Sequence, residues 1–471
     1  MMKLNSRCAR ITGLALALGL AGCANLMPPT QVDALVAPQW QAPLPHQGQV
    51  GALSQWWQQQ GDPLLVELIE AAQAVSPSVA QALSRVESAR AARTSANAAL
   101  MPTLDASASA TRGASQPEAP LATLQTLNLL ASWELDLVGA NRAVSQAADA
   151  QLQASQAQWH DARVSVAAEV ATTYYGLSTC YQLLEVARQD AASRQETARL
   201  TGLSAQAGFA APSVAALARA SAADGNSRAI RQATSCDLDT KALVALTGLP
   251  EPDLRQKLSL ALAAPAQAAP VSVTSVPAQT LAQRPDVFAA EREVVVASAL
   301  VGNAKAQRYP RLTLNGSVGA LRSGTGGNQT SLETWSFGPL ALTVPLFDGG
   351  RRQANVVAAE ASYTQAIAAY RGKVRQAVRE VEEALVNLQS TDARKQDAIT
   401  STQGYAESLQ ATQARFGQGL ASLVELEDAR RTALVAQSAQ LLLALERNRA
   451  WVALYRALGG GFDAVQPGAA L

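Results

Sequence analysis

The chain has 471 residues, with 38 Lys and Arg against 37 Asp and Glu for a formal net charge of +1, and its 48% apolar fraction is mostly Ala, Leu and Val with only 4% aromatics. Its mass of 49.1 kDa gives about 104 Da per residue against ~110 Da for ordinary usage, which disfavours one thick core, because bulky side chains supply most of the favourable burial. The balanced charge leaves no basic excess for nucleic acid, and no run of eighteen apolar residues follows the first 25, which excludes a bundle of transmembrane helices.

Lys3, Arg7 and Arg10 precede the apolar run Ile11 to Leu20, the layout of a secretory signal over residues 1–22. Leu20-Ala21-Gly22-Cys23 looks like a bacterial lipobox, which would make Cys23 the lipidated first residue of the mature chain. The competing reading is an ordinary signal with Cys23 incidental. In lipoproteins, Ala rather than Asp after that Cys goes with delivery to the outer membrane, and Ala24 stands there. Residues 23–62 follow as a segment rich in Gln, Pro and Trp, including Trp40, Trp56 and Trp57, expected to run over the surface near the anchor.

From there the chain reads as one unit written twice, residues 63–248 and 281–462, joined by an Ala/Pro-rich segment 249–280 assigned neither helix nor strand and followed by a tail 463–471. Landmarks recur at offsets of 208 to 211: Ser76-Pro77-Ser78-Val79 with Arg284-Pro285-Asp286-Val287, Pro102 with Pro310, Leu135 to Arg142 with Pro345 to Arg352, and Gly208 with Gly419.

Each unit opens with an Ala-rich helix, Pro63 to Ala99 and Leu281 to Gln307, stopped by a following Pro. Two strands come next, within residues 103–138 and 311–348. Leu104, Ala106 and Ala108 alternate with Asp105, Ser107 and Ser109, and Leu127 to Leu137 repeats the pattern. In the second unit Leu312, Leu314, Gly316 and Val318 alternate with Thr313, Asn315 and Ser317, and Trp335 to Phe347 forms the fourth strand with Pro339 at a bulge. Polar loops lie around Gly113 to Pro120 and Ser323 to Thr330. Ten-residue alternating runs with an aromatic near one end fit transmembrane strands, although a soluble hairpin pair would alternate too. Four strands are too few for a membrane barrel, whose smallest examples use eight. Three copies give twelve, and the bilayer's intolerance of open edges makes oligomerisation obligatory. The fold class is therefore α+β, an oligomeric barrel continued by long helices.

Proline-free stretches Arg142 to Gln206 and Arg351 to Arg415 would each extend roughly 100 Å at 1.5 Å per residue. Val170, Tyr174, Leu177, Tyr181 and Leu184 step by 4, 3, 4 and 3, a coiled-coil seam. Helices return over Pro212 to Thr247 and Leu420 to Leu458, with Leu434, Leu441, Leu445, Val452 and Tyr455 at similar spacing, after turns at Gly208 and at Gly417 with Gly419. With Cys8 removed and Cys23 lipidated, Cys180 and Cys236 are left in an oxidising compartment. Their midpoint is residue 208, the turn glycine, so an antiparallel hairpin brings them level and a disulfide is expected. The alternative is two buried small residues that never meet. His46 and His160 are the only histidines, and no acidic or thiol cluster has ligand spacing. Gly324-Thr325-Gly326-Gly327 lacks the Lys-Ser/Thr and helix of a phosphate loop. No enzymatic chemistry, metal or cofactor is expected.

The lipobox, Arg284-Pro285-Asp286-Val287 with Ala289-Ala290-Glu291, Pro345-Leu346-Phe347-Asp348-Gly349-Gly350-Arg351 and Trp451 to Gly461 together resemble the outer-membrane factor (TolC-like) family, in its NodT/OprM-like lipoprotein branch of tripartite RND-type efflux systems. The resemblance covers about residues 50 to 462. It implies a homotrimer with a twelve-stranded outer-membrane barrel, a twelve-helix periplasmic tunnel and an equatorial belt from the segments outside the repeats. It implies a periplasmic adaptor and an inner-membrane RND-type transporter as partners, with the outer-membrane lipid engaged by N-terminal acylation.

It also implies a periplasmic gate at Val424 and Asp428, within Leu423-Val424-Glu425-Leu426-Glu427-Asp428, where three symmetry-related carboxylates around a narrow axis would repel one another and attract cations. Glu425, Glu427 and Asp428 read equally as a solvated helix face paired with Arg430 and Arg431. Adaptor docking falls on the hairpin tips: Gly208 and Phe209 in unit one, and Arg415, Phe416, Gly417, Gly419, Leu420 and Ser422 in unit two. Unit one departs from the pattern, with Ser204 in the place of Arg and Ala211-Pro212 replacing Ser and its neighbour. The function implied is a passive exit duct for drugs and toxic compounds. A type I protein-secretion outlet is the alternative in the same fold, and a non-conducting coiled-coil scaffold the alternative from another class.

Overall fold

The computed structural model describes residues 26–33, 41, 56–59, 61–114, 120–263, 281, 284–325 and 328–462. The signal segment, Cys23, Trp40, His46 and the tail 463–471 lie outside them. In chain order the elements are α1 (Trp56–Gln59), α2 (Pro63–Val75), α3 (Pro77–Ala98), β1 (Thr103–Gly113), β2 (Ala122–Leu135), α4 (Ala140–Gln206), α5 (Pro212–Thr247), α6 (Glu251–Ala263), α7 (Pro285–Ala306), β3 (Arg311–Thr325), β4 (Asn328–Thr343), α8 (Arg351–Gly417) and α9 (Leu423–Ala457). No helix among the described residues is long and apolar enough to cross a membrane.

Two compact units interleave the sequence repeats. The first comprises residues 1–34, 84–156 and 289–372 and holds the antiparallel sheet β1-β2-β3-β4. Its register aligns Leu104, Ala131, Gly316 and Phe337 in one cross-strand row and Ala106, Leu129, Val318 and Trp335 in the next, with Trp133, Leu314 and Leu340 on the same face. Because side chains alternate along a strand, the opposite face collects Thr103, Asp105, Ser107, Asn128, Ser132, Asn315, Ser317 and Ser336, with Leu130 between Asp105 and Ser317. Hydroxyls and amides pair across that face: Ser132 Oγ donates to Asn315 Oδ1 at 3.0 Å, and Ser317 and Ser336 Oγ lie 2.8 Å apart. The expected bulge occurs at Gly338 and Pro339, where the register shifts opposite Leu314 to Gly316.

Two strand limits differ from the sequence reading. β2 ends at Leu135, and β4 runs Asn328–Thr343 rather than to Phe347. Pro345 lacks the N–H needed to continue the ladder. At the other end Thr330 and its polar neighbours pair with β3 instead of forming a loop, since Thr suits extended backbone whatever its polarity. Residues 26–33 are tied to the helices of this unit: Ser298 Oγ donates to the Pro28 carbonyl and Tyr363 Oη to the Pro29 carbonyl, each at 2.6 Å.

The second unit comprises residues 35–83, 157–288 and 373–471. Val170, Tyr174, Leu177 and Leu184 of α4 are buried in a cluster with Leu243 of α5 and Leu65 and Leu68 of α2. Three expectations need correction here. The first helix is two helices broken at Ser76 (φ −66, ψ 123), because a residue before proline is driven out of the helical region. The inter-repeat segment is not featureless: α6 opens with Glu251 and Asp253 at its positive end and buries Leu254 and Leu258, one turn apart, in the same cluster. Trp56 is not on the surface either, being buried against Trp451 and Tyr455 with ring centroids 6.2 and 5.4 Å away.

Candidate functional site

The candidate site is the end of the second unit where both helical hairpins turn. In unit one, α4 ends and Gly208 takes φ +79, a left-handed conformation that glycine adopts without strain. The Phe209 N–H bonds to the Ser204 carbonyl at 2.9 Å, leaving the Phe209 ring 88% exposed. In unit two, Gly419 takes φ +73, the Leu420 N–H reaches the Arg415 carbonyl at 2.8 Å, and Arg415 Nη2 reaches the Leu420 carbonyl at 3.0 Å. Ser422 caps α9 in a full capping box: its Oγ accepts from the Glu425 N–H at 3.2 Å, and Glu425 Oε2 accepts from the Ser422 N–H at 2.6 Å. These bonds from Ser422, assisted by Arg415, hold the Glu425 carboxyl below its usual range. Phe416 packs on Leu423, Leu426 and Ala218, whereas Leu420 is exposed. The tip thus fixes its backbone internally and presents Phe209 and Leu420 outward.

Val424 and Asp428 lie one turn apart on α9 and line a cavity of about 560 Å³ with Arg194, Leu217, Arg228, Glu427 and Arg431. Val424 is 65% exposed. Asp428 pairs with Arg431 and Glu427 with Arg430, the pairing that the helix-face reading expects.

Beneath that face lies a polar network that sequence reasoning missed. Arg194, with 8% side-chain exposure, is pinned by Asp190 Oδ2 at 2.9 Å, by Ser221 Oγ at 2.6 Å and by Glu427. Glu427 also accepts from Ser221 Oγ at 2.7 Å and from Arg430 Nη1 at 2.9 Å. Arg430, 5% exposed, donates in turn to Ser193 Oγ and Thr197 Oγ1 at 2.9 and 2.7 Å. Three helices, α4, α5 and α9, are joined by charge-assisted bonds, which are roughly twice as strong as neutral ones. Gly225 makes room: a Cβ there would meet the Arg194 Cδ at 2.9 Å and the Ala191 Cα at 3.3 Å. A glycine inside an otherwise Ala-rich helix was the available signal.

Elsewhere in the same unit Cys180 and Cys236 form a disulfide, with Cα atoms 5.5 Å apart. Buried Arg284 donates to the Ala457 carbonyl at 2.8 Å and pairs with Asp286 at 2.9 Å and Glu380 at 2.8 Å, which ties the start of α7 to the end of α9. Burial alone would raise Asp286, but Arg284 and Lys373 outweigh it and hold its carboxyl below the usual range. Gly460 is required because a Cβ would lie 2.4 Å from Val164 Cγ2. No group of three or more His, Cys, Asp or Glu among the described residues could hold a metal ion.

Residues 68–249 and 276–460 match the model of the family described as "outer membrane efflux protein". The chain is 31% identical to the pyoverdine export outer membrane protein OpmQ of Pseudomonas putida, over 96% of this chain and 98% of that one. It is also 31% identical to the outer membrane protein OprJ of Pseudomonas aeruginosa, over 96% of each. Among solved structures, the outer-membrane channel OprN superposes with a TM-score of 0.81 at 27% identity, covering 92% of this chain and 97% of that one.

Proposed function

Because this chain belongs to the outer membrane efflux protein family, we propose that it forms the outer-membrane exit duct of a tripartite pump, passing small toxic amphiphiles outward without a catalytic step of its own. Its place is the outer membrane. The observation that carries the reading is the two-faced sheet: four strands wide, it shows a continuous apolar band on one side and, on the other, mostly hydroxyls and amides with Leu130, Leu321 and Leu332 among them. Such a sheet fits lipid outside and water within. Its outer strands β1 and β4 each pair on one side only among the described residues. A bilayer offers no water for those edges, so three copies closing β1 against β4 into twelve strands is the assembly we infer.

The long hairpins then line the periplasmic passage. Val424 and Asp428 narrow it, opposed carboxylates favouring cations, and the α4–α9 network holds α9 in the closed position. Phe209 and Leu420, with Arg415, Phe416, Gly417, Gly419 and Ser422 shaping one tip and Gly208 the other, offer docking points for a periplasmic adaptor coupled to an inner-membrane RND-type transporter. Acylated Cys23 would fix the start of the chain to the membrane.

Purified protein in planar bilayers tests this: small cation-preferring openings should grow in Asp428→Ala, and sealed bilayers with both proteins would sink the reading. A deletion strain should become hypersensitive to small amphiphiles. Loss of one secreted polypeptide with unchanged tolerance would point to protein secretion instead.

A further inference from the structure

We propose that the pocket where β3 meets the start of α8 binds an anionic group, a carboxylate or phosphate, on a soluble molecule at the polar side of the sheet. The cavity, about 310 Å³, is lined by Gln307, Arg311, Arg351, Arg352 and Asn355. Arg311 is the first residue of β3, and since Leu312 and Leu314 belong to the apolar face, strand alternation puts Arg311 on the polar one. Arg351 and Arg352 open α8. Arg352 already has a countercharge, its Nη1 lying 2.8 Å from Asp348 Oδ2. That carboxylate also accepts from the Gly350 and Arg352 N–H groups at 3.1 and 3.2 Å, so its capacity goes into starting the helix. Among the described residues, neither Arg311 nor Arg351 has a carboxylate within 4 Å.

The local fold does not explain these two arginines. At the corresponding places of the first repeat, Thr103 opens β1 and Asn141 stands in the first turn of α4. There the Arg142 N–H bonds to Asp136 Oδ2 at 2.8 Å, repeating the Asp348–Arg352 arrangement without extra charge. A cation in the first turn of a helix also opposes the positive helix end, and like charges lining one cavity repel. The cluster thus gathers exposed positive charge that no local carboxylate answers and that an entering anion would. Guanidinium groups match carboxylate and phosphate with paired hydrogen bonds, and this volume suits a small ligand or the acidic end of a larger one. The polar face excludes a lipid headgroup whose tails need the apolar one. Placing the site on the path of exported molecules rests on the duct reading; the binding does not.

Full-length protein in detergent is titrated calorimetrically with benzene-1,3,5-tricarboxylate and, separately, with the neutral triamide. Saturable tricarboxylate binding is expected, weakened at least tenfold in R311Q/R351Q, weakened less in Arg351→Lys, which keeps the charge and loses the paired bonds, and unchanged in Arg188→Gln, an exposed arginine on α4. Equal affinity in R311Q/R351Q, or equally tight binding of the triamide, overturns the site. So does tricarboxylate binding that disappears in phosphatidylglycerol nanodiscs but persists in phosphatidylcholine, because the occupant is then lipid. Conductance of the same preparations separates the two readings: binding with sealed bilayers keeps the site and removes the duct, and conduction without binding does the reverse.

Discussion

Arg194 of α4 and Glu427 of α9, 233 residues apart in sequence, meet in a partly buried ion pair beside Val424 and Asp428. Arg194 also pairs with Asp190, and Glu427 with Arg430, so Arg194→Met leaves two carboxylates each short of one countercharge, a loss of at most about 3–5 kcal/mol. Arg194→Met should therefore lower the thermal midpoint and raise the frequency of openings in planar bilayers. Arg194→Lys, which keeps a positive charge for Asp190 and Glu427, should recover most of the midpoint while keeping the frequent openings, because one ammonium cannot bridge Asp190, Ser221 and Glu427 at once. Openings that revert together with stability would show that the pair matters for folding alone.

The Cys180–Cys236 bond links α4 to α5 across a sequence separation of 56 residues. Loop closure of that size contributes about 2–4 kcal/mol, chiefly by restricting the unfolded chain. Replacing both cysteines by serine should lower the thermal midpoint, and adding reductant to the wild type should reproduce the effect without adding to it in the variant. Mass spectrometry after alkylation should find both thiols blocked until reduction.

Acid and base should act on this unit through neighbouring residues of opposite sign. Burial first, then Arg163, lowers His160 from its ordinary 6.5, so the native state favours neutral imidazole; its stabilisation is full above 6.5 and falls as pH drops toward the lowered value. Burial first, then Asp286, raises Asp161 from 3.8, so the native state favours the protonated carboxyl, and that contribution is lost as pH rises through the raised value. Denaturant titrations should show His160→Gln removing the loss on acidification below 6.5, while Asp161→Asn abolishes the decline on the alkaline side of the carboxylate range.

What the sequence revealed and what it hid follow from the range of each interaction. The α4 seam and the strand faces were legible because both rest on periodicity within one element. The position of Cys180 and Cys236 was legible because a hairpin makes distance from the turn a coordinate. The break at Ser76 had its signal in Pro77 and the α6 helix in Glu251 and Asp253, but both sat inside segments whose Ala and Pro content looked uniform. The Arg194–Glu427–Arg430 network had no local signal except Gly225, since it requires α4, α5 and α9 to meet. Nearby Arg430 read only as an i,i+3 partner for Glu427, a pairing that is present but is a minor part of what that guanidinium does.

Adjacent residues on β3 give the sharpest test of the sheet's two faces. Val318 sits in the apolar row with Leu129 and Trp335, while the Ser317 hydroxyl meets Ser336 at 2.8 Å on the other side. At the middle of a membrane strand a lipid-facing arginine costs about 2–4 kcal/mol, and a water-facing one costs little. Closure by three copies would apply that cost at three places at once. Val318→Arg should therefore abolish insertion, leaving little protein in the outer-membrane fraction, while Ser317→Arg should insert normally and shift conductance toward anions through the added charge. Equal loss from both variants would mean that the strand tolerates no charge on either side, and the polar face would then line no water-filled passage. Reversed outcomes would place lipid on the hydroxyl-rich face and turn the barrel inside out.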